Sequence, residues 1–431
     1  MKKLFTIVFC LPLLLHAQNK AAHNADSAKN ASIIKYFTKK LIEQPNDTTA
    51  YFKRGDAKLN LKDFKGALID FDKAIALNSK YEAAFLDRGR TKYALIDNDG
   101  AIKDYTQVLT LNPKNSFAFY DRGIVKERLL DYKGAIEDLT QAIALNPNDL
   151  DFYNDRGICK RGLDDYQGAI DDYTKAISID PKDNRPYYNR GLSKNLLKDY
   201  NGALADFTQA ISLSPNDEQS YYERGNTKRY LKDYKGALED YDKALSIDKN
   251  YLACYNGRGL SYYANEDYKS AIVEFNKATA INPKYADCIY NRGLANDKLG
   301  NLNDSIDDYS LYIKVEPNDP DGYYKRGDAK YNLEDYKGAL EDFNKTIAID
   351  SKYSSAYADR GLAKIKLSDF KAAIADCTKA IELDPNYANA YNNRGYAEHL
   401  LNDDIAACAD FKKALDLGSE NAAANISSFC K

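Results

Sequence analysis

The residues of this chain with chemistry to offer are tyrosines and arginines in regular order. Tyrosine occurs 36 times, and arginine precedes glycine at eleven places, from Arg54-Gly55 to Arg394-Gly395, each 34 residues after the last. Sixteen residues beyond each of these arginines stands an acid, with Asp70 after Arg54, Glu274 after Arg258 and Asp410 after Arg394. Two roles suit that order. The arginines form a basic stripe that grips an acidic ligand, or they pair with the acids in a ladder that ties helix to helix. Eleven matched opposite charges favour the ladder, although one exposed pair contributes under ~1 kcal/mol. Phenol and guanidinium groups are frequent binding anchors, because a large, fairly rigid body carries a polar tip. The chemistry on offer is grip, not bond making.

Catalysis finds no foothold. Of three histidines, His16 lies in the first seventeen residues, which leaves His23 and His399, too few for a triad or a histidine metal centre. No Gly-x-Ser-x-Gly, Walker-type loop or dinucleotide fingerprint occurs. Acid pairs such as Glu239-Asp240 recur with the period and read as solvated helix faces. No catalytic, metal or cofactor-binding residue is expected, and no cofactor. Charged residues make up 29% with a formal charge of only −3, which argues against a nucleic-acid partner, since neutralising phosphates takes a marked basic excess. Seven cysteines include no Cys-x-x-Cys pair. Cys159, Cys377 and Cys408 fall where small core residues belong; a Cys408–Cys430 disulfide is the alternative in an oxidising compartment.

Residues 1–17 read as an export signal: Lys2 and Lys3, an apolar run from Leu4 to Leu15, then His16-Ala17 before Gln18. The run is too short for a membrane anchor. A lipidated Cys10 is disfavoured, since Phe9 is bulky and the apolar run continues past it. No other segment is apolar enough to cross a membrane, so the mature chain is expected to lack a transmembrane segment and to reside in the periplasm or outside the cell. Residues 18–47 read as a loose polar leader plus a half-repeat cap helix, 48–421 as eleven full repeats, and 422–431 as a C-terminal capping helix.

A fixed period of this size marks a solenoid. Within residues 218–251, the apolar and aromatic residues Tyr221, Tyr222, Gly225 and Leu231, then Ala237, Leu238, Tyr241, Ala244, Leu245 and Ile247, keep helical spacing in two blocks. Lys232-Asp233-Tyr234 makes the turn between them, and proline ends the second block in seven repeats. The unit is a helical hairpin. Each glycine costs about 0.8–1 kcal/mol against alanine inside a helix, which makes sense if two helices approach closely there. The small residue twelve places on, Ala237 for Gly225, is its expected partner.

The order aromatic–x3–Gly, Ala, aromatic, Ala and Pro on a 34-residue period resembles the tetratricopeptide repeat, over nearly all of the chain beyond residue 47. The chain departs from that family where tyrosine or phenylalanine, such as Tyr221 and Phe85, replaces tryptophan, and where arginine precedes the glycine. A lysine such as Lys228 stands where the family has a tyrosine. The resemblance implies an all-α, right-handed superhelical solenoid of eleven helix-turn-helix repeats with capping helices. It also implies a concave wall lined by five places of each first helix. Those places hold Tyr93, Tyr120, Arg128, Arg161, Tyr188, Tyr222, Asn226, Arg229, Tyr230, Tyr263, Tyr290, Tyr324 and Tyr331, the expected partner-binding residues. The family's Lys/Asn clamp for a C-terminal carboxylate, of the Hsp70/Hsp90-tail type, is missing, because Tyr222 and Gly257 stand where its lysine and second asparagine belong. Repeat eight is irregular, with Ile289, Asn301-Leu302, Ser305 and Tyr312 at pattern positions. It reads as drift, with a hinge or partner site as the alternative, and overpacking by Tyr312 would open the stack locally.

The expected function is a non-enzymatic protein- or peptide-binding scaffold in an exported compartment. The alternatives are a glycan or peptidoglycan-fragment recognition module, or an accessory subunit of a secretion or envelope complex.

Overall fold

The computed structural model describes residues 20–430, which hold 24 helices and no strand; the expected export signal at 1–17 lies outside the described residues. Helix α1 (Lys20–Glu43) comes first and takes in most of the stretch read as a loose leader. Eleven helix pairs follow, from α2 (Thr48–Asn60) with α3 (Phe64–Leu77) to α22 (Ala388–Leu400) with α23 (Asp404–Asp416), and α24 (Glu420–Phe429) is last. The pairs form two compact units, divided between Leu213 and Ser214.

One short turn recurs inside each pair. Its fifteenth-position residue is left-handed in ten repeats without being glycine, for example Lys232 at φ 62° and Ile96 at φ 67°; repeat eight alone uses glycine, Gly300 at φ 74°. The aspartate that follows caps the second helix: Asp233 Oδ1 accepts from the Gly236 N–H at 3.0 Å, and Asp63, Asp131 and Asp335 do likewise. The recurring aspartate of the turn is therefore a helix cap.

The core repeats with the pairs. Ala67, Phe71 and Ala74 of α3 are fully buried, as are Ala237, Tyr241 and Ala244 of α13 (Tyr234–Ile247). The glycine column packs on a different neighbour from the one expected. A Cβ on Gly225 would lie 2.8 Å from the Tyr241 ring, and one on Gly157 2.6 Å from the Tyr173 ring. The alanine twelve places on approaches only through its carbonyl oxygen, 3.0 Å away for Gly395 and Ala407. Glycine is needed because the buried side chain sixteen residues on, a ring in nine of the eleven repeats, leaves no room for a Cβ on the first helix.

Within each unit the first helices touch the first helices of neighbouring repeats, as α2 does α4 (Glu82–Ala94), whereas the second helices make no comparable contact. The stack in each unit therefore curves with its first helices on the inner side.

Candidate binding wall on the first helices

The arginine column is committed to the fold. Arg224 Nε and Nη2 donate to both oxygens of Asp240 at 2.9 and 2.6 Å, and Arg54 clasps Asp70 at 2.8 and 2.6 Å. Every repeat pairs this arginine with its acid, and the acids are buried. The third nitrogen reaches back to the preceding repeat: Arg88 to Asp72 at 2.7 Å, Arg156 to Thr140 Oγ1 at 3.1 Å, Arg360 to Asn344 at 2.7 Å. The guanidinium also covers an aromatic ring one turn earlier, Arg360 over Tyr357 at 5.2 Å. Fork geometry makes these charge-assisted bonds strong, and removing one partner would leave the other charge buried and uncompensated, so this column is engaged within the fold and not presented to an acidic ligand. The lysine column completes the ladder, since Lys228 Nζ meets the second oxygen of Asp240 at 2.8 Å and Lys58 that of Asp70 at 2.7 Å. Sequence reading found the lysines but not their task.

The expected partner-binding residues all lie on first helices, half-buried apart from the exposed Tyr230. In the first unit, Arg128 covers the Tyr93 ring at 4.9 Å and donates to its carbonyl at 3.3 Å. Tyr120 stacks on Phe152 at 4.9 Å and donates to Asp155 at 2.7 Å, while Tyr188 meets Phe207 edge-on at 5.9 Å. Arg161 keeps a buried Nη1 without a partner. In the second unit, Asn226 accepts from the Tyr241 hydroxyl at 2.8 Å, and Tyr222 packs 5.2 Å from Tyr251. Arg229 lies over Tyr230 at 4.9 Å with its Nε buried and unpartnered, and Tyr230 itself is 51% exposed. Tyr263 meets Tyr268 at 5.2 Å, Tyr290 meets Tyr312 at 5.1 Å, Tyr324 donates to Asp359 at 2.7 Å, and Tyr331 meets Tyr336 at 5.3 Å. These rings pack as well as face outward.

Carboxylates interleaved with the tyrosines were missed. Asp87, Asp121, Asp155 and Asp359 share the place one residue before the arginine, a column that is acidic often enough to be seen. Burial pushes Asp87, Asp155 and Asp359 up to about 6, and Glu127 up to about 7. Arg90 holds Asp121 at 2.7 Å and Asp87 at 3.3 Å.

Cys159, Cys254, Cys288 and Cys377 are free and buried, and burial pushes the Cys288 and Cys377 thiols up to about 12, which makes them inert core residues. Cys408 departs from the core reading: half-buried, it forms a disulfide with Cys430. Among the described residues no cluster of three or more His, Cys, Asp or Glu has the arrangement to hold a metal, and no helix is long and apolar enough to cross a membrane.

Several solved structures are similar to this chain. Yeast Tom70 is 18% identical over 87% of this chain and 93% of that one, with a TM-score of 0.39. The Cut9–Hcn1 hetero-tetramer of the APC/C gives 14% identity over 96% and 97%, with a TM-score of 0.46. YrrB, a TPR protein with an unusual peptide-binding site, is 24% identical over 43% of this chain and 95% of its own, with a TM-score of 0.36. Sequence models of the tetratricopeptide repeat match residues 48–81, 120–184, 185–217, 219–251, 320–353, 354–387 and 377–409, and a TPR repeat model matches 259–300. These matches together span more than half of the chain, and the chain belongs to the tetratricopeptide-repeat family.

Proposed function

We propose that the chain is a non-enzymatic scaffold that holds a protein or peptide segment along the inner side of its first helices. The observation that carries this reading is the recurrence of half-buried tyrosines on the first helices, Tyr93, Tyr120, Tyr222, Tyr263, Tyr290, Tyr324 and Tyr331, with the exposed Tyr230 among them. Such side chains supply contact area with little rotamer entropy to lose. Export belongs to the same reading: the signal-like residues 1–17 and the Cys408–Cys430 disulfide both suit an oxidising compartment.

Photo-cross-linking tests the reading. A photoreactive phenylalanine at Tyr120 or Tyr331 on first helices is compared with one at Ile69 or Val273, exposed on second helices. Discrete protein adducts from the inner positions alone are expected. Adducts in equal yield from both sides, or none from the inner side, would sink it, and tyrosine fluorescence quenched by a saccharide in the latter case would point to glycan recognition. Amino-terminal sequencing of the secreted or periplasmic chain should begin at Gln18.

A further inference from the structure

Repeat eight departs from the pattern of the chain, and one of its departures is met by another at the start of repeat nine. Alanine stands at position 27 in eight repeats, but Tyr312 stands there in α17 (Leu302–Val315). Room for that ring comes from Gly322 on α18 (Pro320–Asn332), where a Cβ would lie 2.7 Å from Tyr312 Cδ1. The two departures compensate, so the stack is not opened. Tyr312 instead backs the wall from beneath: buried, it lies 5.1 Å from Tyr290 on α16 (Ala286–Leu299) and donates to Asp319 at 2.6 Å.

The rings around it are bonded to carboxylates. Tyr309 donates to Asp297 at 2.6 Å, leaving Asp297 Oδ1 buried without a partner. Tyr353 donates to Asp321 at 2.9 Å and packs 5.0 Å from Tyr324. A phenol gives a carboxylate one hydrogen bond and no charge, so the negative charge of this wall stands. Burial raises Asp328 above the usual carboxylate range, against the pull of Lys325. The arginines and the ladder lysine of these helices, Arg292, Arg326 and Lys330, are already paired with Asp308 and Asp342, and Lys325 Nζ, over the Tyr324 ring at 5.5 Å, is one cation against the three carboxylates Asp297, Asp321 and Asp328.

Aromatic faces beside carboxylates are what a lysine or arginine side chain recognises: the ring attracts the cation and the carboxylate pairs with it. We propose that the inner wall of repeats eight to ten docks an extended basic segment of a partner protein, its lysine or arginine side chains seated between Tyr290, Tyr324 and the Asp297, Asp321 and Asp328 carboxylates. The proposal rests on the scaffold reading above and names its partner chemistry.

A random peptide library displayed on phage is selected against the full chain, and the enriched peptides are titrated by fluorescence anisotropy. Two variants of equal charge change accompany it: Asp297→Asn with Asp328→Asn on the wall, and Asp304→Asn with Asp307→Asn, exposed on α17. Asparagine can still accept the Tyr309 bond, and thermal melting verifies the fold. The expected result is enrichment of peptides rich in lysine or arginine, bound roughly tenfold more weakly by the wall variant and unchanged by the other. Enriched peptides that are acidic or neutral, or that bind the wall variant as well as the parent, overturn this proposal and leave the scaffold reading standing. No enrichment at all overturns both.

Discussion

Arg258 meets Glu274 through a single contact of 3.3 Å, whereas Arg224 clasps Asp240 through two, at 2.9 and 2.6 Å. The extra methylene of glutamate takes the carboxyl out of register with the guanidinium fork. Arg258 Nε and Glu274 Oε2 are both left buried without partners, and Lys277 takes the other glutamate oxygen at 2.8 Å. Glu274→Asp should restore the fork and stabilise the fold by about 1–3 kcal/mol, the penalty of an unsatisfied buried group. Chemical unfolding followed by circular dichroism measures it; a destabilised variant would show that the side-chain length is not the cause.

Arg224→Ala should destabilise by about 3 kcal/mol, near the lower end for breaking a buried pair, because Lys228 still holds Asp240 at 2.8 Å. An unchanged melting temperature together with lost partner binding would return the arginines to a ligand-gripping role.

Gly322→Ala should cost about 1–3 kcal/mol through collision with the Tyr312 ring. The same substitution in a Tyr312→Ala background should cost almost nothing. A double-mutant cycle reads the coupling, and additive effects would break the compensation described for repeat eight.

Glu398 takes the ladder-lysine place in repeat eleven, where its Oε2 is buried and unpartnered. Burial first, and then the Asp410 charge, push its carboxyl up to about 7 from 4.5. The folded state thus binds this proton more tightly than the unfolded state does, so stability falls as pH rises from about 4.5 to about 7. Melting temperature should decline over that window. Glu398→Lys should raise stability at pH 8 and flatten the decline; a steeper profile would contradict the assignment.

Reduction of the Cys408–Cys430 disulfide, which closes a separation of 22 residues, should weaken the C-terminal end by roughly 3 kcal/mol in the loop-entropy account. Hydrogen exchange should quicken in α24, where Phe429 stacks on His399 at 4.0 Å, and stay unchanged in α12 (Glu218–Tyr230). Uniform quickening along the chain would mean that the disulfide holds more than the last helix.

The hairpin was legible because Ala237, Tyr241 and Ala244 repeat with the helical period, and the ladder because Arg224 and Asp240 are always sixteen apart. The left-handed turn residue was hidden, since Lys232, Leu130 and Asp164 fill it without a glycine to announce it. The third member of the ladder was hidden for another reason: Lys228 looks like an ordinary surface residue until folding brings it across to the second helix. On the wall, the tyrosines were visible as a surplus, but Tyr120 and Tyr324 turn out to be bonded to Asp155 and Asp359. Pairing across neighbouring repeats, 35 residues apart, depends on curvature that no single repeat spells out.

The backward reach of each ladder arginine also bears on how long such a chain grows. Its targets at position 25 of the repeat before are Asp72, Thr106, Thr140, Thr174, Asp242, Asn276, Ser310, Asn344 and Thr378, an acceptor in each case. Any in-frame duplication or loss of 34 residues among these repeats would therefore rejoin donor to acceptor without repair. Lys412 fills that place in repeat eleven. An arginine reaching back to that place would meet a cation in place of an acceptor.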